Sequence, residues 1–128
     1  MTVVYDAGAL VAADRNDRRV WANHRARLES GIVPITTAPV VAQASRSVRQ
    51  VQLRRFLVGC EVVAFDSSDA HRVGSLLAAA RSSDVVDAHV VVVAGRNNAT
   101  VITSGPKDLR RLAAHLSHPI AIRTTVTA

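Results

Sequence analysis

Four aspartates stand at expected strand-to-helix junctions or in the first turn of expected helices: Asp6, Asp84, Asp87 and Asp108. Asp84 and Asp87 are three residues apart, a spacing that puts two side chains on one face of a helix. Carboxylate oxygens without a nearby thiolate suit Mg²⁺ or Mn²⁺. Such an ion can activate water and stabilise charge on a phosphodiester that is being cleaved. These residues therefore indicate a candidate metal site.

Each aspartate also has a purely structural interpretation. The helix dipole favours acids in a first turn, which alone could account for Asp84 and Asp108. Asp6 and Asp87 are harder to explain in this way, because an acid beside apolar elements is costly unless it is paired or liganded. Residue types and spacing alone thus predict an α/β domain with a possible carboxylate site.

Other chemistry-bearing residues give weaker signals. His89 lies two residues after Asp87, but the histidines at 24, 71, 115 and 118 show no ligand spacing with it, so we expect a packing or surface role. Cys60 is the one cysteine, which excludes an internal disulfide framework, and we expect it to be a small buried side chain. No glycine-rich phosphate loop or serine nucleophile elbow is present.

Composition favours one cytoplasmic domain, residues 1–128, with a polyanionic partner. Sixteen basic residues against ten acids give a formal charge of +6, and a positive field attracts polyanions. Arginine supplies fifteen of the sixteen, for which a GC-rich genome is the alternative explanation. The apolar run from Val90 to Ala94 is too short to cross a membrane, and we expect no membrane partner.

Strand and helix patterns alternate along the chain. The pattern predicts parallel strands with helices on both faces, a three-layer α/β/α sandwich with a mainly parallel sheet of four or five strands. We expect Asp17, Thr37, Ser67 or Ser68, and Ser83 as helix caps, the valine-rich stretch 85–95 as a helix, and a frayed tail from Thr124. Strands are expected near 3–6, 32–35, 61–65, 99–103 and 120–123, and helices near 7–13, 17–30, 37–48, 51–57, 69–81, 85–95 and 107–116.

Four segments resemble PIN domains, and most closely the VapC toxins of type II toxin–antitoxin systems: Val4-Tyr5-Asp6-Ala7-Gly8-Ala9-Leu10, Thr37-Ala38-Pro39-Val40-Val41-Ala42-Gln43, Ser83-Asp84-Val85-Val86-Asp87-Ala88-His89-Val90 and Ile102-Thr103-Ser104-Gly105-Pro106-Lys107-Asp108-Leu109. Their order and spacing cover essentially the whole chain. The resemblance implies a Mg²⁺- or Mn²⁺-dependent endoribonuclease, usually a homodimer. It also implies a small antitoxin protein that inserts a segment, often with an arginine, into the active site.

The resemblance also assigns roles to individual positions. Asp6 matches the first family acid and Asp87 the third, with Asp84 accompanying it one turn earlier. The second acid, a glutamate on the third helix, is Gln43 here. The fourth is replaced by Gly105, although Asp108 matches an acid often found nearby. We therefore expect one metal bound through Asp6 and Asp87, helped by Asp84 or Asp108, and weakened cleavage of RNA.

Two rival functions stay open at this point. The chain could be a degenerate PIN domain that binds an antitoxin or RNA without cutting. It could also be a binding module that uses an arginine-rich face comprising Arg46, Arg49, Arg54 and Arg55.

Overall fold

The computed structural model describes residues 2–125, which form five parallel strands with one or two of the seven helices between successive strands. The sheet has the order β3-β2-β1-β4-β5. The tail residues 126–128, for which we expected fraying, lie outside the described residues, whereas Thr124 belongs to the last strand. The elements in chain order are β1 (Val3–Tyr5), α1 (Ala7–Asp14), α2 (Arg18–Glu29), β2 (Ile35–Thr37), α3 (Ala38–Ala44), α4 (Val51–Val58), β3 (Glu61–Val63), α5 (Ser67–Ala80), α6 (Val85–Asn97), β4 (Thr100–Thr103), α7 (Pro106–Ala113) and β5 (Ile122–Thr124).

The order of the strands creates a switch point between β1 and β4. From β1 the chain builds outward to β2 and β3, then returns to add β4 and β5 on the other side of β1. Right-handed crossovers consequently place α1–α4 on one face and α5–α7 on the other. The helix contacts agree, because α1 packs on α2, α3 and α4, while α5, α6 and α7 pack on one another. The predicted α/β/α architecture is confirmed, and such switch points are where ligands bind in open α/β sheets.

Helix α6 packs on the sheet and is apolar around most of its circumference. Its valines at positions 90, 91 and 93 are fully buried, as is Ala94. Valine favours strands on propensity, but packing of α6 against β1, β2 and β4 overrides that preference. The prediction of a helix here is confirmed.

An aromatic cluster ties α2 and α4 to β1. The His24 ring stacks on Phe56 with 3.9 Å between ring centroids, and Trp21 meets Phe56 edge-on. The Tyr5 hydroxyl lies 2.9 Å from His24 Nδ1 and accepts a hydrogen bond from Arg27. Burial lowers the pKa of His24 to about 4 and raises that of Tyr5 to about 12, so both are neutral at pH 7. The cluster fixes the residue that immediately precedes Asp6.

Several predicted boundaries and caps differ from the structure. The strand predicted at 32–35 is Ile35–Thr37. Helix α3 stops at Ala44, not 48, because the Gln50 side chain accepts bonds from the backbone of the following turn, at Arg46 and Ser47. Asp66 and Asp84, rather than the neighbouring serines, cap α5 and α6.

Two of the predicted helix caps are confirmed. Asp17 and Thr37 cap α2 and α3 as expected, and Gly31 follows α2 with a φ of 80°. Cys60, expected to be buried, is only half-buried, and burial raises the pKa of its thiol to about 12. Among the described helices, none combines the length and the apolar character that spanning a membrane requires.

Candidate metal centre

Asp6 lies at the carboxyl end of β1, next to β4, and caps helix α1. Its side chain is 7% exposed. Oδ1 accepts a hydrogen bond of 3.0 Å from the Ala9 amide, and Oδ2 accepts one of 2.5 Å from the Thr103 hydroxyl. Burial raises the pKa of Asp6, and the hydrogen bond from Thr103 opposes that rise. The carboxylate is therefore held in one orientation at the switch point.

Two neighbours of Asp6 explain how this position is held. A Cβ on Gly8 would overlap the Ser104 hydroxyl and lie 3.1 Å from the Ser104 amide nitrogen, so only glycine lets α1 begin this close to β4. Thr103, which donates to Asp6, also accepts a hydrogen bond of 3.0 Å from the Gly105 amide. The role of Thr103 was missed from the sequence. The pairing of Tyr5 with Ile102 puts Thr103 level with Asp6, but this depends on knowing that β1 and β4 are neighbours.

Asp84 and Asp87 open helix α6 as a coupled pair. Asp84 accepts a hydrogen bond of 2.9 Å from the Asp87 amide, and Asp87 is half-buried. The pKa of the Asp87 carboxyl is raised to about 7. Burial is the largest cause, followed by the negative charges of Asp84 and Asp6, a side-chain hydrogen bond with Asp84, and the charge of Asp108. The other three aspartates singled out from the sequence thus all act electrostatically on the Asp87 carboxyl.

Asp108 and Asp84 line the same small cavity. It is exposed in the first turn of α7. The cavity, about 180 Å³, is also lined by Arg111, whose guanidinium donates to the carbonyls of Ala80 and Arg81 at the end of α5. Sequence reasoning missed Arg111, since its partners are about thirty residues away. Asp84 and Asp108 therefore share a solvent-accessible wall beside a fixed arginine.

The two positions that depart from the family pattern also have defined places. Gln43 is exposed near the end of α3, a helix that packs on α6. Gly105 precedes α7 without a side-chain cap, and a Cβ built there meets nothing within 4 Å. An aspartate at position 105 would therefore fit without a clash.

The four aspartates suit a divalent cation in the type of ligand atom and in charge. All four acids offer oxygen, and a bound cation would offset both the burial and the repulsion that raise the pKa of Asp87. The Asp6 carboxylate bonds to the Ala9 and Gly8 amides and to the Thr103 hydroxyl, which is fewer than the roughly four lone-pair sites that a carboxylate offers. Within residues 2–125, however, no three Asp, Glu, His or Cys side chains converge tightly enough to hold a metal as they stand. The metal site predicted at Asp6, Asp87 and Asp108, and the catalytic set of Asp6, Asp84, Asp87 and Gln43, remain predictions.

His89 does not belong to this centre. Its ring is fully buried and edge-on to Phe65, and its Nε2 lies 3.0 Å from an Asp69 carboxylate oxygen. It therefore packs inside the fold, as expected from the sequence.

Comparison with known proteins places the chain in a family. The model of the PIN domain matches residues 3–115, so the protein belongs to the PIN domain family, whose members are generally nucleases. No curated protein sequence matches it.

Three solved structures with the same fold are similar over nearly their whole length. VapBC2 from Rickettsia felis, bound to a DNA fragment from their promoter, gives a TM-score of 0.72 at 17% identity, covering 97% of this chain and 98% of that one. FitAcB from Neisseria gonorrhoeae gives 0.67 at 14% identity, covering 98% and 99%. PAE2754 from Pyrobaculum aerophilum gives 0.63 at 18% identity, covering 99% and 94%. At these identities the likeness establishes the fold.

Proposed function

We propose that the protein is a metal-dependent endoribonuclease, the toxin component of a type II toxin–antitoxin pair, with cleavage weakened by Gln43 and Gly105. The observation that carries the proposal is that Asp84, Asp6 and Asp108 all lie close enough to Asp87, in a PIN domain, to act electrostatically on its carboxyl. The four carboxylates concentrate negative charge, which a bound divalent cation would neutralise.

Each residue has a defined task in this proposal. Asp6 and Asp87 hold one Mg²⁺ or Mn²⁺, and Asp84 or Asp108 assists. The bound ion supplies water activation and neutralises charge on the phosphodiester. Thr103 orients the Asp6 carboxylate, and the net charge of +6 attracts RNA. The fold likeness to VapBC2 and FitAcB supports a small antitoxin partner. A homodimer and a cytoplasmic location belong to the same proposal.

The test restores the two missing acids. Gln43→Glu with Gly105→Asp should raise Mn²⁺-dependent cleavage of a fluorogenic single-stranded RNA by about tenfold or more, equivalent to about 1.4 kcal/mol in the transition state. Gly74→Asp is a matched control, because Gly74 also has open space around its Cβ but lies on α5. Asp6→Asn in the restored background should remove the gain. Absence of any gain, with no Mn²⁺ binding by calorimetry, would overturn the proposal.

A degenerate PIN domain that binds an antitoxin or RNA without cutting is the second candidate. The exposure of Gln43 and the missing side chain at Gly105 favour it. It predicts RNA binding that falls with salt and persists in EDTA, with no cleavage even after both acids are restored. In that case the arginine-rich face, whose members Arg46, Arg49, Arg54 and Arg55 are all exposed, becomes the first surface to mutate.

A further inference from the structure

We infer that the protein has a second site, which binds a small amphipathic anion, that is, a carboxylate or phosphate carried on an apolar body. The site is a groove between α5, α6 and the segment 115–118 that follows α7, with a volume of about 620 Å³. We call it the cationic groove. The residues that carry the argument are Arg72, Leu76, Val92, Arg96, His115 and His118.

The cationic groove is distinct from the aspartate cluster. Helix α6 begins among the aspartates and ends at Asn97. Arg96 is nine residues beyond Asp87 on that helix, which puts it about 14 Å away along the axis at about 1.5 Å per residue. A ligand in the groove would therefore contact neither Asp6 nor Asp87.

The floor of the groove is apolar and partly open. Leu76 is 8% exposed, and Val92 and Leu116 are half-buried. Gly95 leaves room for about one carbon atom beside Leu116, since an added Cβ would make ordinary van der Waals contact with Leu116 Cδ1 at 3.5 Å. A flat or linear apolar group could lie on this floor and displace water from it.

Every ionisable side chain that lines the groove is basic. Two are the arginines at positions 72 and 96, and two are the histidines at positions 115 and 118. Among residues 2–125 no acid lines the groove, although the chain contains ten acidic residues. The rim therefore complements an anionic group, and the floor complements an apolar one.

Arg96 is held ready for an anion by a buried partner. Its Nη1 and Nη2 donate to the two carboxylate oxygens of Asp69 at 2.7 and 3.3 Å. Asp69 is only 2% exposed and is also bound by His89. A guanidinium has five N–H donors, so this pairing leaves others free. Because its orientation is already fixed, Arg96 loses little side-chain entropy when a ligand binds.

A structural interpretation explains only part of this arrangement. The Asp69–Arg96 pair ties α5 to α6, which is sufficient to account for Arg96. It does not account for Arg72, which is 58% exposed and reaches Asp69 only at 3.7 Å, or for the two histidines on the opposite rim. The size of the groove falls within the range of about 300–1,000 Å³ typical of small-ligand clefts, which favours a small molecule over a polynucleotide.

The experiment uses 8-anilinonaphthalene-1-sulfonate as a fluorescent amphipathic anion, with laurate and dodecyl phosphate as competitors. We expect saturable binding of one molecule per chain, with ligand-induced shifts at the methyl groups of Leu76, Val92 and Leu116 in NMR spectra. Arg72→Glu should weaken binding about tenfold, while Arg49→Glu, an equal change of charge on an exposed loop, should not. The uncharged probe N-phenyl-1-naphthylamine should bind at least tenfold more weakly.

Several outcomes would overturn the inference. Equal affinity in both arginine variants, methyl shifts outside the groove, or no binding up to millimolar probe would each do so. Binding that appears only on dilution, together with dissociation of a dimer in sedimentation, would assign the groove to a second copy of the chain instead. Competition by laurate alone or by dodecyl phosphate alone identifies which anionic group is preferred. Circular dichroism at equal concentration verifies that each variant is folded.

Discussion

Protonation of Asp87 should make the stability of the metal-free protein depend on pH. Its folded pKa, about 7, lies above its ordinary value of 3.8. For an acid shifted upward, folding favours the protonated form, so the associated stability is present below about pH 4 and is lost as pH rises through about 7. Asp87→Asn mimics the protonated shape without titrating. The variant should therefore gain stability relative to the natural chain as pH rises.

The magnitude follows from the size of the pKa change. At about 1.4 kcal/mol per pH unit, the full change corresponds to at most about 4 kcal/mol. Asp87 is half-buried, and solvent and salt screen its interactions with Asp84, Asp6 and Asp108, so we expect about 1–2 kcal/mol.

Urea unfolding in EDTA at pH 5 and pH 8 measures this effect. The difference in unfolding free energy between Asp87→Asn and the natural chain should become more favourable to the variant by about 1–2 kcal/mol at pH 8. Glu29→Gln, an exposed acid on α2, is the control and should show no such change. A pH-independent difference would refute the electrostatic coupling of the aspartates. Added Mn²⁺ should stabilise the natural chain more at pH 8 than at pH 5, because protons compete for the same oxygens.

Two further substitutions test the framework around the sites. Gly8→Ala should lower the free energy of unfolding by about 1–3 kcal/mol, because the added Cβ would overlap Ser104. The matched change Gly74→Ala, in open space on α5, should be neutral or slightly stabilising. Equal effects of the two changes in thermal melts would contradict the predicted overlap at Gly8. Asp69→Asn should lower the free energy of unfolding by about 2 kcal/mol at pH 7, because it weakens the hydrogen bonds from Arg96. This loss of stability should shrink as pH falls from about 4 toward 2, since the pKa of Asp69 is lowered to about 2. An undiminished loss at pH 2 would rule out the ionised pair as its cause.

Local sequence patterns predicted the scaffold better than they predicted the contacts. A short β-branched run followed by a helix pattern located Asp6 at a strand end, and the alternation of elements gave the layered fold. To predict a helix for the valine run, the polar residues before the run and the break at Gly95 after it had to be weighed against the β propensity of valine. Helix caps were less predictable, because Asp66 and Asp84 compete with adjacent serines for the same unpaired backbone amides in the first turn of the helix.

Contacts between distant segments could not be read from the sequence. Thr103 reaches Asp6 across 97 positions, and this depends on β4 returning to the side of β1 opposite β2. The cationic groove joins residues from 72 to 118, and its basic side chains have no common spacing. Asp69 gave no signal of its own, since burial and its partners Arg96 and His89 appear only when α5 packs on α6.

The double use of Asp6 has a practical consequence for genetic knock-outs. One carboxylate oxygen terminates α1 through the Ala9 amide, so Asp6→Ala deletes a helix cap as well as a candidate ligand. The loss of a cap typically costs about 1 kcal/mol, enough to reduce the amount of folded protein in a cell. If Asp6→Ala removed the effect of the natural chain in a cell, a low amount of folded protein could not be distinguished from the loss of a candidate metal ligand. Asp6→Asn keeps an oxygen for the cap, and the pair of variants separates the two effects.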